Sequence, residues 1–322
     1  MSLTLERHTG QTALDRARNY GGMSEGDLKR EAARAVNERD RQTLWDMTEA
    51  FIILNGKAGA KLSRHTVRAY RRGVFDVLKA FEGENLLRPS RDAGRLWVRG
   101  MEGDGLKPST VTLKLAAARQ LYKMLRWAEV TEANPLENIT PAADRVNAWV
   151  KRQPYPEADV HKLLSAGSAS ERSLVLLGAH AGLRASEMTA LRWQDVDLEA
   201  AELVVLLGKG RKTRRVPLSP ALVGALSDLK TARGVRDDSR RVFPVTEKTL
   251  RERMQRLCDL ASVSYLGLHS LRHTAGTMMQ REVGDLNYTA EFLGHASIET
   301  TRGYAKRSDD TLKRVVSGWG AA

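Results

Sequence analysis

The chain has 322 residues and one cysteine, Cys258, so no disulfide can form within it and a reducing compartment is expected. No apolar run approaches the roughly 20 residues of a membrane span, and the N-terminus lacks a signal-peptide core. Neither a carboxylate cluster suited to Mg²⁺ nor a glycine-rich nucleotide loop is present. Aromatic residues are 6% of the chain, too few to supply the stacking platforms of a sheet that binds RNA. What remains, 42% hydrophobic and 28% charged, reads as globular, with room for two apolar cores.

Charge of one sign is in excess. Lys and Arg total 52 against 39 for Asp and Glu, a net charge of +13. Residues 1–40 balance, whereas residues 41–145 carry 18 basic against 12 acidic residues and residues 146–322 carry 27 against 20. An excess shared by both larger segments suits a polyanion gripped by two domains, and DNA or RNA is the default candidate.

Residues 1–40 read as an N-terminal extension. Its first 23 residues are polar, with Gly10, Gly21 and Gly22, and are expected to be mobile. Ser24 and Asp27 then form a helix start ahead of an Ala-, Glu- and Arg-rich helix. Residues 41–140 hold four helical patterns, which predict a four-helix bundle. In "SRHTVRAYRRGVFDVLKAFE", Val67, Tyr70, Val74, Val77, Leu78 and Phe81 share one face. Arg64, Arg68, Arg71 and Arg72 share another; a charge run is ordinarily a solvated face, yet four arginines without interleaved acids repel one another and suit phosphate contact. In "STVTLKLAAARQLYKMLRWAEV", Val111, Leu115, Ala118, Tyr122 and Leu125 form the apolar stripe. Lys114, Arg119, Lys123 and Arg126 lie on the rest of that helix.

Residues 141–156, with Pro141, Pro154 and Pro156, read as a linker, and no internal repeat is visible. Residues 157–322 are predicted to be mostly helical. A β-hairpin is expected over 201–218, its basic tip carrying Lys209, Arg211, Lys212, Arg214 and Arg215, with glycines flanking Lys209. The predicted class is mainly α with a small sheet.

Four clusters in this second domain are candidates for chemistry. Arg184 sits at a helix break in "GLRASE", with Glu187 three residues on; a lone Arg there is ordinarily structural. The hairpin tip alone would be a phosphate contact. His269, Arg272 and His273 follow i, i+3, i+4 spacing, which on a helix lets all three face one side. A zinc pair is disfavoured, because no Glu follows the first His as in the zinc-protease pattern. "EFLGHASIETTRGYAKR" ends one helix, breaks at Gly294 and Gly303, and carries His295 and Tyr304. Together these give two arginines, a lysine, histidines and a tyrosine. That set meets the needs of metal-free transesterification at a phosphodiester: guanidiniums for the charge on phosphorus, a lysine to protonate the leaving alkoxide, a histidine to move a proton, and a tyrosine to attack.

The ordered motifs "GLRASE", "GKGRKTRRVPL", "HSLRHT" and "LGHASIETTRGY" resemble the tyrosine recombinase (phage integrase) superfamily. The resemblance implies a helical core-binding domain over residues 41–140 and an α+β catalytic domain from residue 157 onward. It implies that Arg184 and Arg272 hold the scissile phosphate, that Lys209 protonates the 5′ oxygen, and that His269 moves the tyrosine's proton. His295 would contact the phosphate and Tyr304 would form a 3′-phosphotyrosyl link, with Glu187 and His273 in supporting positions. Double-stranded DNA is the implied partner, held by both domains, with Arg64, Arg68, Arg71, Arg72, Lys114, Arg119, Lys123, Arg211 and Lys212 as contacts. No metal, nucleotide or other cofactor is expected. A cytoplasmic, nucleoid-associated homotetramer on synapsed DNA is the expected working form, with a paralogous recombinase as a possible partner. The stretch "DDTLKRVVSGW" is expected to form a short helix that packs either on a neighbouring protomer or on its own domain. A type IB topoisomerase would use a similar residue set, and a DNA-binding regulator could carry a dead version. The hairpin lysine, the "LGH…Y" spacing and the helical bundle favour the recombinase, and the occupied catalytic positions argue against decay.

Overall fold

A computed structural model describes residues 12–56, 59, 62–144, 153–206 and 213–294. The chain forms two units, Met1–Arg145 and Val146–Ala322.

In the first unit the expectation for the N-terminus is overturned. Residues 13–21 are not a mobile polar segment but a helix, α1 (Ala13–Gly21). Thr12 caps it, accepting from the Asp15 N–H at 3.2 Å, while Asp15 reaches back to the Thr12 N–H. Its anchor is Arg16, whose guanidinium meets Glu49 and lies 3.5 Å from Asp46. Both acids are buried, so α1 docks where a buried charge needs an opposite one. The chain continues through α2 (Glu25–Asn37), capped by Ser24, and α3 (Arg41–Asn55), which carries those acids. Then follow α4 (Arg64–Ala80), α5 (Ala93–Gly103) and α6 (Pro108–Trp127).

Helices α3 to α6 are the four predicted from the sequence. All five residues of the α6 stripe are buried, as are Val74, Val77, Leu78 and Phe81 of α4; Val67 and Tyr70 pack at the edge. Each buried large side chain stabilises the bundle by about 2 kcal/mol. Arg119 departs from its predicted role. Its Nε and Nη2 donate to the carbonyls of Leu136 and Ile139 at 3.1 and 2.7 Å, holding the segment after α6 against the bundle.

The second unit begins with α7 (Glu157–Ala166) and α8 (Ala169–Ala179), the latter capped by Ser168 with Glu171. After the short α9 (Ala185–Ala190) comes an antiparallel sheet in the order β1 (Val196–Asp197), β2 (Glu202–Val205), β3 (Arg214–Pro217). Strands β2 and β3 are the predicted hairpin, in register from Glu202 opposite Pro217 to Val205 opposite Arg214. Alternation along β3 turns Arg214 and Val216 inward and Arg215 outward, where Arg215 pairs with Glu202 at 2.8 Å. Helices α10 (Pro220–Ala232), α11 (Glu247–Leu260), α12 (Leu268–Val283) and α13 (Leu286–Leu293) complete its described part. They enclose a core around Trp193, Leu226, Phe243 and Leu271.

Candidate active site

Gly182, with φ of +63°, turns the chain from α8 toward α9, and a Cβ there would lie 2.7 Å from the Leu293 side chain. That turn places Arg184 at the N-cap of α9 and Glu187 in its first turn. The Arg184 N–H donates to Oε2 of Glu187 at 2.8 Å, and its Nη1 donates to Oε1 at 2.8 Å. Arg214 approaches the same carboxylate from β3, with Nη1 3.1 Å from Oε1 and Nη2 2.9 Å from Oε2. Arg272, on α12, brings its Nη1 to 3.9 Å from Oε2. Three guanidiniums thus surround one carboxylate from three separate elements.

The arginines differ in freedom. Arg272 is 1% exposed and donates to the carbonyls of Gly182 and Leu293. Arg184 is 37% exposed, and its Nη2 makes a long 3.5 Å contact with the Gly294 carbonyl. Burial pushes the Glu187 pKa up, but the hydrogen bonds and charge of Arg214, then those of Arg184, outweigh it and hold the group at about 2. The folded value lies below the ordinary 4.5, so this carboxylate stabilises the fold fully above pH 4.5, by about 3 kcal/mol. That contribution is lost as pH falls from about 4.5 toward 2. Urea unfolding of wild type at pH 6, 4 and 3 should therefore show a steep loss of stability across the last two. A flat profile would mean that Glu187 is protonated or unpaired at neutral pH.

His269, Arg272 and His273 lie on α12 at the predicted spacing and differ in burial. Arg272 points into the core, whereas His269 is exposed and its ring meets that of His273 edge-on, centroids 4.8 Å apart. Lys209, Arg211, Lys212, His295 and Tyr304 lie outside the described residues. Their anchor points do not: the hairpin tip leaves from Val205 and Arg214, and the segment with His295 leaves from Gly294. Gly294, with φ of +63°, caps α13 so closely that a Cβ would lie 2.9 Å from Arg214.

On α4, Arg64, Arg68, Arg71 and Arg72 are all exposed. Arg71 donates to Gln42 at 2.7 Å and sits 5.1 Å from the Phe75 ring centroid, with Arg41 at 4.9 Å from the same ring. Two guanidiniums held by one ring are pre-arranged for neighbouring anions. Lys123 is exposed, Lys114 pairs with Asp76 at 2.7 Å, and Arg119 is committed to main-chain carbonyls. Sequence reading passed over Arg41 and counted Arg214 only among the basic residues of the hairpin tip; its inward direction was legible in the strand alternation, which sets it beside Val216 and away from Arg215.

The Phage integrase family profile matches residues 156–311, and the profile for the phage integrase N-terminal SAM-like domain matches residues 58–129. Tyrosine recombinase XerC of Neisseria meningitidis is 31% identical over 82% of this chain and 90% of its own. The chain belongs to the tyrosine recombinase family. It is a site-specific recombinase, and the arginine-carboxylate centre lies within the matched catalytic region. Tyrosine recombinase XerC of Pelobacter propionicus is 30% identical, over 85% of the recombinase and 95% of the relative. Among solved structures, the XerH site-specific recombinase bound to palindromic difH substrate matches with a TM-score of 0.66 and 18% identity over 95% of this chain and 94% of that one. A lambda integrase dimer bound to a COC' core site matches with a TM-score of 0.66 and 14% identity over 84% and 94%. At those identities the likeness is one of fold.

Proposed function

We propose that the recombinase cleaves duplex DNA with Tyr304 as nucleophile, residues 157–322 acting as the catalytic domain and residues 41–140 as a DNA-gripping domain. The tyrosine oxygen attacks phosphorus, the bond from phosphorus to O5′ breaks, and Lys209 delivers the proton that O5′ needs. The tyrosine's proton passes to His269. Arg184 and Arg272, with His295, hold the non-bridging oxygens. A 5′ hydroxyl from the partner strand then attacks the phosphotyrosine and releases Tyr304. No external energy source enters, because each phosphodiester broken is replaced by another ester.

The centre around Glu187 supports this reading best. Three guanidiniums against one carboxylate leave an excess of two positive charges, and Arg184 keeps part of its surface open to solvent. Such a site suits a phosphate more than a neutral substrate. A homotetramer on two synapsed duplexes, with a paralogous recombinase as an alternative partner, is the assembly that strand exchange requires. The segment with Leu312, Val315, Val316 and Trp319 is a candidate link between protomers, and a nucleoid location follows from the substrate.

The deciding experiment incubates genomic fragments from the source organism with wild type and with Tyr304→Phe. Adducts are captured after SDS and sequenced. Adducts from wild type alone, concentrated at one recurring sequence, are the expected result. Scattered adducts would indicate topoisomerase-like relaxation. None from either protein, with DNA binding intact, would sink the assignment of Tyr304 in favour of a DNA-binding regulator.

The α4 arginines are proposed phosphate contacts. Arg71→Ala should flatten the dependence of log affinity on log salt by about one for duplex DNA of any sequence. An unchanged slope would remove Arg71 from the interface.

A further inference from the structure

Arg214 has no role in the reaction as set out above, yet it donates two hydrogen bonds to Glu187, a carboxylate that Arg272 approaches at 3.9 Å. Its neighbour Arg215 shows what an ordinary hairpin arginine looks like: 74% exposed, paired with Glu202 on the outer face. Arg214 is 14% exposed and spans both oxygens of Glu187. Those same oxygens receive the Arg184 N–H and Nη1, so Arg184 and Arg214 share one carboxylate. Gly294 lies beside the Arg214 side chain, where a Cβ would come within 2.9 Å of it. Arg214 therefore touches the three places from which the site is built: α9, which carries Arg184; β3, where the hairpin with Lys209 ends; and the cap of α13, from which His295 follows.

We propose that Arg214 is a positioning residue of strand cleavage: by gripping both oxygens of Glu187 it fixes Arg184 against the scissile phosphate and links β3 to the cap of α13. The inference rests on the function proposed above. A lysine could supply the charge but not the fork, because an ammonium cannot span two carboxylate oxygens in the guanidinium's planar geometry. A glutamine would lose the charge as well. Arg214 has no need to meet DNA for this role.

The test compares wild type, Arg214→Lys and Arg214→Gln in the full chain, with two readouts. The first is the rate of SDS-stable adduct formation on the genomic fragment pool, set beside the affinity for the same pool. The expected result is unchanged affinity with adduct formation slowed by about 30-fold in Arg214→Gln and by less in Arg214→Lys. The second uses free protein with ¹⁵N-labelled arginine. The Arg184 Nε–Hε signal, assigned by its loss in Arg184→Lys, should be rigid in wild type, mobile in Arg214→Gln and intermediate in Arg214→Lys. A rigid Arg184 in Arg214→Gln overturns the proposal, and so does a parallel fall in affinity and rate, which would make Arg214 a DNA contact. If wild type itself forms no adduct, the functional reading fails while the arginine spectrum still decides the positioning role. Should Arg214→Gln fail to fold, Arg214→Lys decides: a rigid Arg184 and a full cleavage rate there would show that the fork is dispensable.

Discussion

Glu187→Gln is expected to destabilise the second unit by roughly 3–5 kcal/mol, as breaking a buried ion pair from one side does. Four donors converge on this side chain: the Arg184 N–H and Nη1, and both terminal nitrogens of Arg214. An amide keeps the shape but offers one acceptor oxygen, and its NH₂ must face a guanidinium. The charge loss takes this carboxylate away from three clustered arginines. Native-state hydrogen exchange on the amides of α9 and α12 would measure the loss locally. A change under about 1 kcal/mol would mean that solvent or main-chain carbonyls readily replace the carboxylate.

Arg184→Ala should do the opposite, leaving stability nearly intact while slowing adduct formation by about 10²–10³-fold, the usual loss when one donor to a developing oxyanion is removed. Glu187 would keep Arg214 and the main-chain N–H of residue 184, so little of the buried network is undone. The partly open Arg184 is the member of the centre best placed to touch a ligand without also supporting the fold. Parallel measurement of urea midpoint and adduct rate separates the two effects. A rate within a few-fold of wild type would remove Arg184 from the phosphate.

How far these features could be read in advance depended on the reach of each interaction. The stripe from Val111 to Leu125 was legible because helical burial repeats every three to four residues, within one short window. Arg119 sits in that window but spends its guanidinium on carbonyls 17 and 20 residues further on, a partnership no periodicity encodes. Helix α1 was missed although Thr12 and Asp15 spell a capping box, because the stretch is polar and its counter-charges, Asp46 and Glu49, lie in another helix. In the site, motif order singled out Arg184, Glu187 and Arg272, which the structure brings together. Spacing alone did not show how deep each side chain lies, since residues three and four apart on α12 straddle the boundary between core and surface. The direction of Arg214 followed from strand parity once the hairpin was in register.

Arg272 has a consequence for when the positive charge is gathered. Its two terminal nitrogens are committed to the carbonyls of Gly182 and Leu293, behind a surface that leaves it 1% exposed. A side chain held in this way is not recruited by swinging in when substrate arrives; it takes its place as the chain folds. Mutual repulsion among the three guanidiniums is then a permanent property of the empty enzyme, only partly relieved by Glu187. An anion that enters relieves more of it, so occupancy and folding are linked, and DNA bound at this centre should make the second unit harder to unfold.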